Sequence, residues 1–285
     1  MTEKTDGRSF RSVFHPSDNS THSQAAFAHA LKFALADKAH LAILHADASG
    51  LDPQTWWRAP AIRNTLQAWG LLEEGSPRKA IFSELGVPVT RVKLESREPI
   101  NVIIDYLQKF PAELMVLGTE GRDGLPRWLR KSVAESAARE SKTNTLFVPK
   151  NARGFVAAKD GHVTLHRVLV PIDHDPDPQH SLEVTARLLR TLRIVPRSIK
   201  LLYVGSGKQA PKVDTEAVEP AWPWEHLHCK GEVVGEILNT ADAFGANLLV
   251  MATKGHQGFL DVLRGSTTEQ VLRRAPCPVL AVPAA

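Results

Sequence analysis

Two stretches of the chain combine glycine, small and hydroxyl residues at a spacing suited to holding phosphate. In one, Leu248-Leu249-Val250-Met251-Ala252-Thr253-Lys254-Gly255 reads as a buried strand running into a tight turn. Beyond Gly255 and nine intervening residues, Gly265-Ser266-Thr267 reads as the opening of a helix. The earlier stretch, Leu114-Met115-Val116-Leu117-Gly118-Thr119-Glu120-Gly121, repeats the pattern, with Lys131-Ser132 where the later copy has Gly265-Ser266. A glycine has no Cβ, so its backbone can approach a polyphosphate closely. A helix opening presents unpaired N–H groups and the positive end of the helix dipole to an anion. A serine or threonine hydroxyl adds one more donor. Each copy departs from a full set of glycines at a different place. Lys131 puts a Cβ and a long stem where phosphate would come close. Ala252 is the smallest alternative to glycine and is tolerable unless the position needs a positive φ.

Other constellations carry less chemistry. His174-Asp175-Pro176-Asp177-Pro178-Gln179-His180 has metal-ligating types, but the two prolines favour a capped loop ahead of a helix. His226 and His228 alternate along an expected strand, so both can share one face. Trp222-Pro223-Trp224 can cover a sheet face or receive a peptide, and Trp56, Trp57 and Trp69 read as packing residues. No serine sits in a nucleophile elbow and no cysteine–histidine pair is evident. The expectation is therefore no catalytic residues and no metal site. Cys229 and Cys277 are the only cysteines and lack metal-type spacing, which fits a reducing compartment.

The elements that position these stretches recur along the chain. Val13 and Phe14 suit a short first strand, with Pro16 at its end and Asp18 just beyond. Residues 25–38 have helical apolar spacing, and Leu41–Ala46 suits a strand. One helix is expected around Trp56–Trp69 and another from Ser76-Pro77 to a glycine cap at Gly86. Then follow a half-buried strand, Val87–Leu94, a helix from Pro99 to Phe110, and the strand Leu114–Leu117. A capping box, Ser132-Val133-Ala134-Glu135, opens a further helix, and Thr145–Pro149 is a last strand. Residues 151–164 lack periodicity and read as a linker.

The pattern then restarts with Arg167–Asp173 as a strand, Leu182–Leu192 as a helix and Ser198–Val204 as a strand. Glu225–Cys229 is a strand, Val233–Phe244 a helix and Leu248–Met251 a strand. The capping box Ser266-Thr267-Thr268-Glu269 and the strand Pro278–Val282 complete it. Asp18 and Asp173 stand 155 positions apart, whereas Gly121 and Gly255 stand 134 apart. The second copy thus lacks about 21 residues of the Trp56–Leu85 helical region and has a Gly-, Pro- and Lys-containing loop, 205–223, instead.

Alternating strands and helices with right-handed crossovers make a parallel sheet covered on both faces. Such a sheet binds ligands beyond the carboxyl ends of its strands, and both the aspartates and the glycine turns fall at that rim. The 285 residues divide into two domains of ordinary size, 9–150 and 165–285, the second lacking one helix. Composition is that of a globular protein, 43% hydrophobic and 23% charged with net charge +4. There is no basic stripe for nucleic acid and no apolar run of membrane-spanning length. The polar N-terminus, residues 1–12, has no apolar core of a secretory signal. A cytoplasmic location is expected, with neither nucleic-acid nor membrane partners.

At these residues the chain resembles the universal stress protein family in its tandem form. The resemblance covers nearly the whole chain. It rests on Val168-Leu169-Val170-Pro171-Ile172-Asp173, on Met251-Ala252-Thr253-Lys254-Gly255, and on Gly265-Ser266-Thr267-Thr268-Glu269 running into Ala275-Pro276-Cys277-Pro278-Val279-Leu280-Ala281-Val282. It implies two Rossmann-like (adenine nucleotide alpha hydrolase-like) domains, each a five-stranded parallel sheet with helices on both faces. It also implies a stress-response regulator that binds ATP, with or without magnesium, or a related adenine nucleotide. The implied site is Asp173, Val204, Ala252, Gly255, Gly265, Ser266 and Thr267 in the second copy, and more weakly Asp18, Gly118, Gly121 and Ser132 in the first. Asp173 would meet the adenosine end and the residue closing the second strand would line the adenine. Asp18 and Asp173 also read simply as helix caps. The expected assembly is an intramolecular pseudo-dimer joined along the last strand of each copy, with a homodimer of chains left open. The alternatives are a nucleotide-free interaction scaffold and an enzyme of the wider superfamily; any ATP hydrolysis would be slow and incidental.

Overall fold

A computed structural model of the chain describes residues 9–17, 23–46, 62–94, 99–119, 143–150, 152, 154–206, 209–253 and 267–284. The first half runs β1 (Ser12–Ser17), α1 (Ser23–Ala36), β2 (His40–Ala46), α2 (Ile62–Ala68), α3 (Ala80–Ser83), β3 (Val89–Leu94), α4 (Pro99–Lys109), β4 (Leu114–Thr119) and β5 (Asn144–Pro149). The second runs β6 (Arg167–Pro171), α5 (Gln179–Thr191), β7 (Ser198–Val204), α6 (Thr215–Val218), β8 (Trp224–Cys229), α7 (Val233–Phe244), β9 (Leu248–Thr253), α8 (Thr267–Leu272) and β10 (Val279–Pro283).

The strands form one ten-stranded sheet in the order β3-β2-β1-β4-β5-β10-β9-β6-β7-β8. Within each half all pairings are parallel, as crossover helices require. The halves meet where β5 and β10 pair antiparallel, with Phe147 opposite Val279, Leu146 opposite Leu280 and Thr145 opposite Ala281. Leu146 and Leu280 occupy the same place in the repeat, so each faces its own counterpart. Equivalent residues exchange partners around that point, as in an isologous interface.

Side chains alternate across the sheet and feed two cores. Val13, Val116, Val168 and Val250 pack with α1 and α5 on one face. Phe14, Met115, Leu169 and Met251 pack with α4, α7 and α8 on the other. Such fully covered parallel strands need near-continuous apolar runs, and all of Leu114–Leu117 and Leu248–Met251 are buried. Helix α7 illustrates the local logic. Glu232 caps it by accepting from Val234 N and Gly235 N, which hold its carboxyl below the ordinary range. Gly245, at φ 61°, ends it in the left-handed conformation that a glycine adopts without strain.

Several expectations need correction. Strand β1 does not end at Pro16 but continues to Ser17. It pairs with β4 only through Val13 and Phe14, so beyond Phe14 that flank has no ladder bond for a proline to lose. The helix expected from Ser76-Pro77 to Gly86 is a single turn, α3, in which only Ala80 is buried. Bonds from Glu84 N to Ala80 O and Gly86 N to Phe82 O carry the turn on to Gly86, which at φ 71° ends it as expected. The 205–223 loop contains one helical turn, α6, capped by Asp214, whose side chain accepts from Ala217 N. Where described, the 151–164 segment read as the linker packs on the sheet: Phe155 and Val156 are buried, and Val156 bridges Val163. His29 holds it to α1. Its Nδ1 donates to Ala25 O at 2.7 Å, and its Nε2 accepts from Phe155 N at 3.1 Å and Val156 N at 3.2 Å. Burial pushes the His29 pKa down to about 4, so the ring is neutral at neutral pH.

Candidate functional site

Strand β6 lies between β9 and β7, where the strand order of the second half reverses. Its pairing with β9 stops after Val168 and Leu169, while its pairing with β7 continues to Pro171. The strands therefore part at their carboxyl ends, at the switch point where doubly wound sheets hold ligands. A cleft of about 470 Å³ opens there. Leu202 and Val204 of β7, Val233 and Ile237 of α7, and Met251 of β9 supply apolar walls. Pro171 at the end of β6 and Ile172, Asp173, Asp175 and Pro176 in the turn after it line the cleft, and Ala252, Thr253, Thr267 and Thr268 complete it.

Four residues singled out from the sequence thus share one cavity: Asp173, Val204, Ala252 and Thr267. They come from four separate elements, and only the parallel topology brings them together. Gly255, Gly265 and Ser266 lie outside the described residues, as do Asp18, Gly121 and Ser132 of the first copy. Gly118, the remaining first-copy residue, sits within β4 opposite Val148 and is half-buried. Trp56 and Trp57 also fall outside the described residues.

The cleft lining combines apolar side chains with polar ones. Asp173 brings a carboxylate, whose Oδ1 accepts from the backbone N of His174 at 2.8 Å. Thr267, exposed, and Thr268, buried, bring hydroxyls. Thr253 is also buried, and its Oγ1 donates to Val282 O at 3.4 Å. Apolar walls with a carboxylate and hydroxyls among them suit a ligand that has both a flat apolar part and polar groups. Cleft residues that sequence reasoning missed are Ile172, Asp175, Leu202, Val233, Ile237 and Met251. Val233 and Ile237 stand four apart at the start of α7, the one signal that could have placed both on a single face.

The other constellations have structural partners. In the loop before α5, Asp177 accepts from Gln179 N at 2.9 Å, and His180 lies 3.6 Å from Glu183. Trp222 and Trp224 pack against the core on the α5 face, with Trp224 Nε1 donating to Glu219 O and Arg190 lying over Trp222. Burial pushes the Cys277 thiol up to about 12. Among the described residues, no three His, Cys, Asp or Glu side chains converge as a metal-binding group, and no helix is long and apolar enough to cross a membrane.

Comparison with known proteins places this architecture. The family model described as universal stress protein family matches twice, over residues 9–149 and 164–283. Universal stress protein MJ0531 of Methanocaldococcus jannaschii is 32% identical over 149 residues, covering 50% of this chain and 83% of that protein. Among solved structures, a universal stress protein from Archaeoglobus fulgidus superposes with a TM-score of 0.59 at 16% identity, covering 96% of this chain and 97% of its own. A functionally unknown protein, PA1789, from Pseudomonas aeruginosa gives 0.56 at 16% identity, with 98% and 94% covered. The structural matches establish a shared fold across nearly the full length. With the fold, the repeated half-sheet and both family matches in agreement, the chain belongs to the universal stress protein family as a tandem member.

Proposed function

We propose that this chain is a stress-response regulator that binds ATP or a related adenine nucleotide in the cleft of its second half. The observation that carries the reading is the convergence of Asp173, Val204, Ala252 and Thr267 on one cavity at the switch point. The cavity fits the group. Leu202, Val204, Ile237 and Met251 give an apolar slot for a purine, Asp173 an acceptor for amine or hydroxyl donors, and Thr267 a donor toward phosphate. Gly255, Gly265 and Ser266 would complete the phosphate end, with magnesium as the nucleotide's own counter-cation. The first copy, with Asp18, Gly118, Gly121 and Ser132, is the weaker site, because Lys131 replaces the glycine nearest phosphate.

In this reading the chain is two domains, 9–150 and 165–285, joined by 151–164 into an intramolecular pseudo-dimer. It acts in the cytoplasm by changing partner interactions and is not an enzyme. The second reading, a nucleotide-free scaffold, draws on Ala252 and Lys131, each of which departs from the full glycine pattern. Isothermal titration with ATP separates the two. The regulator reading expects binding that Gly265→Lys abolishes. Absence of binding by the unaltered protein favours the scaffold, and a Gly265→Lys variant that binds equally well moves the site to the first copy.

A further inference from the structure

The loop that replaces the missing helical region is fastened to the cleft at several points. His174, the residue after Asp173, places its Nε2 3.0 Å from Gln209 O. Its ring stands edge-on to Tyr203, centroids 5.8 Å apart at 81°. Tyr203 is buried and in turn contacts His228 at 5.1 Å. His228 Nε2 donates to Gly205 O at 2.9 Å, and Gly205 N donates to Cys229 O at 3.0 Å. Gly205 lies so close to the Tyr203 ring that an added Cβ would sit 2.6 Å from it. On the far side of the turn, Gln179 donates through Nε2 to Asp214 O and accepts from Asp214 N. The segment from Asp173 to Gln179 is thus clamped at both ends to residues 209–214. His174 is the member of this set whose own backbone N–H holds the cleft carboxylate.

We propose that His174 is a positioning residue of the nucleotide cleft. Its ring, seated between Gln209 O and Tyr203, fixes the direction of its backbone N–H, and that N–H fixes the Asp173 carboxylate toward the ligand. The inference rests on the nucleotide reading above and adds to it a residue that touches no ligand. It also assigns a role to the shortened loop, whose polar fastenings to the 173–179 segment stand beside the packing of Val213, Val218 and Trp222 on the core. Pre-organising a carboxylate in this way spares the ligand the entropy of ordering it.

The test is a double-mutant cycle read as ATP affinity by isothermal titration, using the full chain. His174→Ala is expected to weaken ATP about tenfold, the scale of one lost polar interaction. His174→Gln, whose amide can reach the Gln209 carbonyl, is expected to restore most of it. In an Asp173→Ala background, which removes the Oδ1 acceptor, His174→Ala should cost nothing further, because it acts through Asp173. Amide exchange in the 172–178 segment should quicken in His174→Ala with no ligand present, and thermal stability should change little. Additive losses in the double variant, or full affinity in His174→Ala, would overturn the positioning role while leaving nucleotide binding intact. Failure of the unaltered protein to bind ATP would overturn both.

Discussion

Strands β1 and β6 hold the same place in their half-sheets, yet they end differently. In β1 the residues facing α1 are His15 and Ser17, both fully buried. His15 Nδ1 bonds Val116 O at 2.8 Å, and the Ser17 hydroxyl donates to Ser23 Oγ at 3.1 Å. In β6 the same positions are Val170 and Ile172, which pack into an apolar core. Under the helices the contrast repeats: buried His29 in α1 stands where buried Val184 stands in α5. The first half has polar groups inserted in its core, and one of them, His29, holds the connection between the halves. The second half has an apolar core there and, on the opposite face, an apolar cleft. At equivalent positions the repeat thus carries polar side chains in one half and apolar packing in the other.

The comparison is most severely tested where equivalent residues of the two halves face each other. Leu146 and Leu280 are both fully buried and face each other across the β5–β10 seam. Truncating either to alanine should cost about 2–5 kcal/mol, and the two losses should be alike when read by urea denaturation. A cost confined to one side would show that the seam is not symmetric in energy.

The next effect separates the halves. Folding lowers the His29 pKa from 6.5 to about 4, so between those values the unfolded chain binds the additional proton. Stability contributed by neutral His29 is complete above pH 6.5 and is lost as pH falls toward 4, by roughly 3 kcal/mol in all. His29→Val, which copies the residue of the second half, should remove that pH dependence from denaturation curves. It should also lower stability at neutral pH, since Phe155 N and Val156 N lose their acceptor. A variant that keeps the slope would assign it to other groups.

A smaller asymmetry lies between α5 and α1. Arg187 reaches from the second half into the first, bonding Ser9 O, pairing with Glu113 at 2.8 Å and covering the Phe10 ring. Lys32, its counterpart in α1, lies over Trp69 within its own half. Arg187→Ala should cost about 1 kcal/mol and Lys32→Ala less than that, since partly exposed charges contribute little. Equal losses by thermal melting would deny Arg187 a role in joining the halves.

These contrasts bear on what could be read from the chain alone. The alternation of strands and helices and the repeat were legible because they rest on local signals: apolar runs, caps and turn residues at fixed spacing. Asp173, Val204, Ala252 and Thr267, by contrast, were singled out through the family resemblance and line one cleft. Helix α7, with a cap at Glu232 and a glycine end at Gly245, was legible to the residue. The pinned linker was not, because its anchor His29 lies 126 positions from Phe155 in the chain and one buried contact has no period. The helix expected over 76–86 is shorter, a single turn at Ala80–Ser83, but its glycine end at Gly86 is where the turn residue placed it. His174 was noticed for its metal-ligating type, whereas its observed partners, Gln209 O and Tyr203, become visible only once β6 and β7 are adjacent.

The central claim, that the second half is the ligand-binding half, is tested most directly by hydrogen exchange of the full chain with and without ATP. The account predicts slowed exchange at 171–175, 202–204, 251–253 and 267–268, and none at the equivalent β1, β2 and β4 ends of the first half. Protection of the first-half ends instead, or of neither, would contradict it.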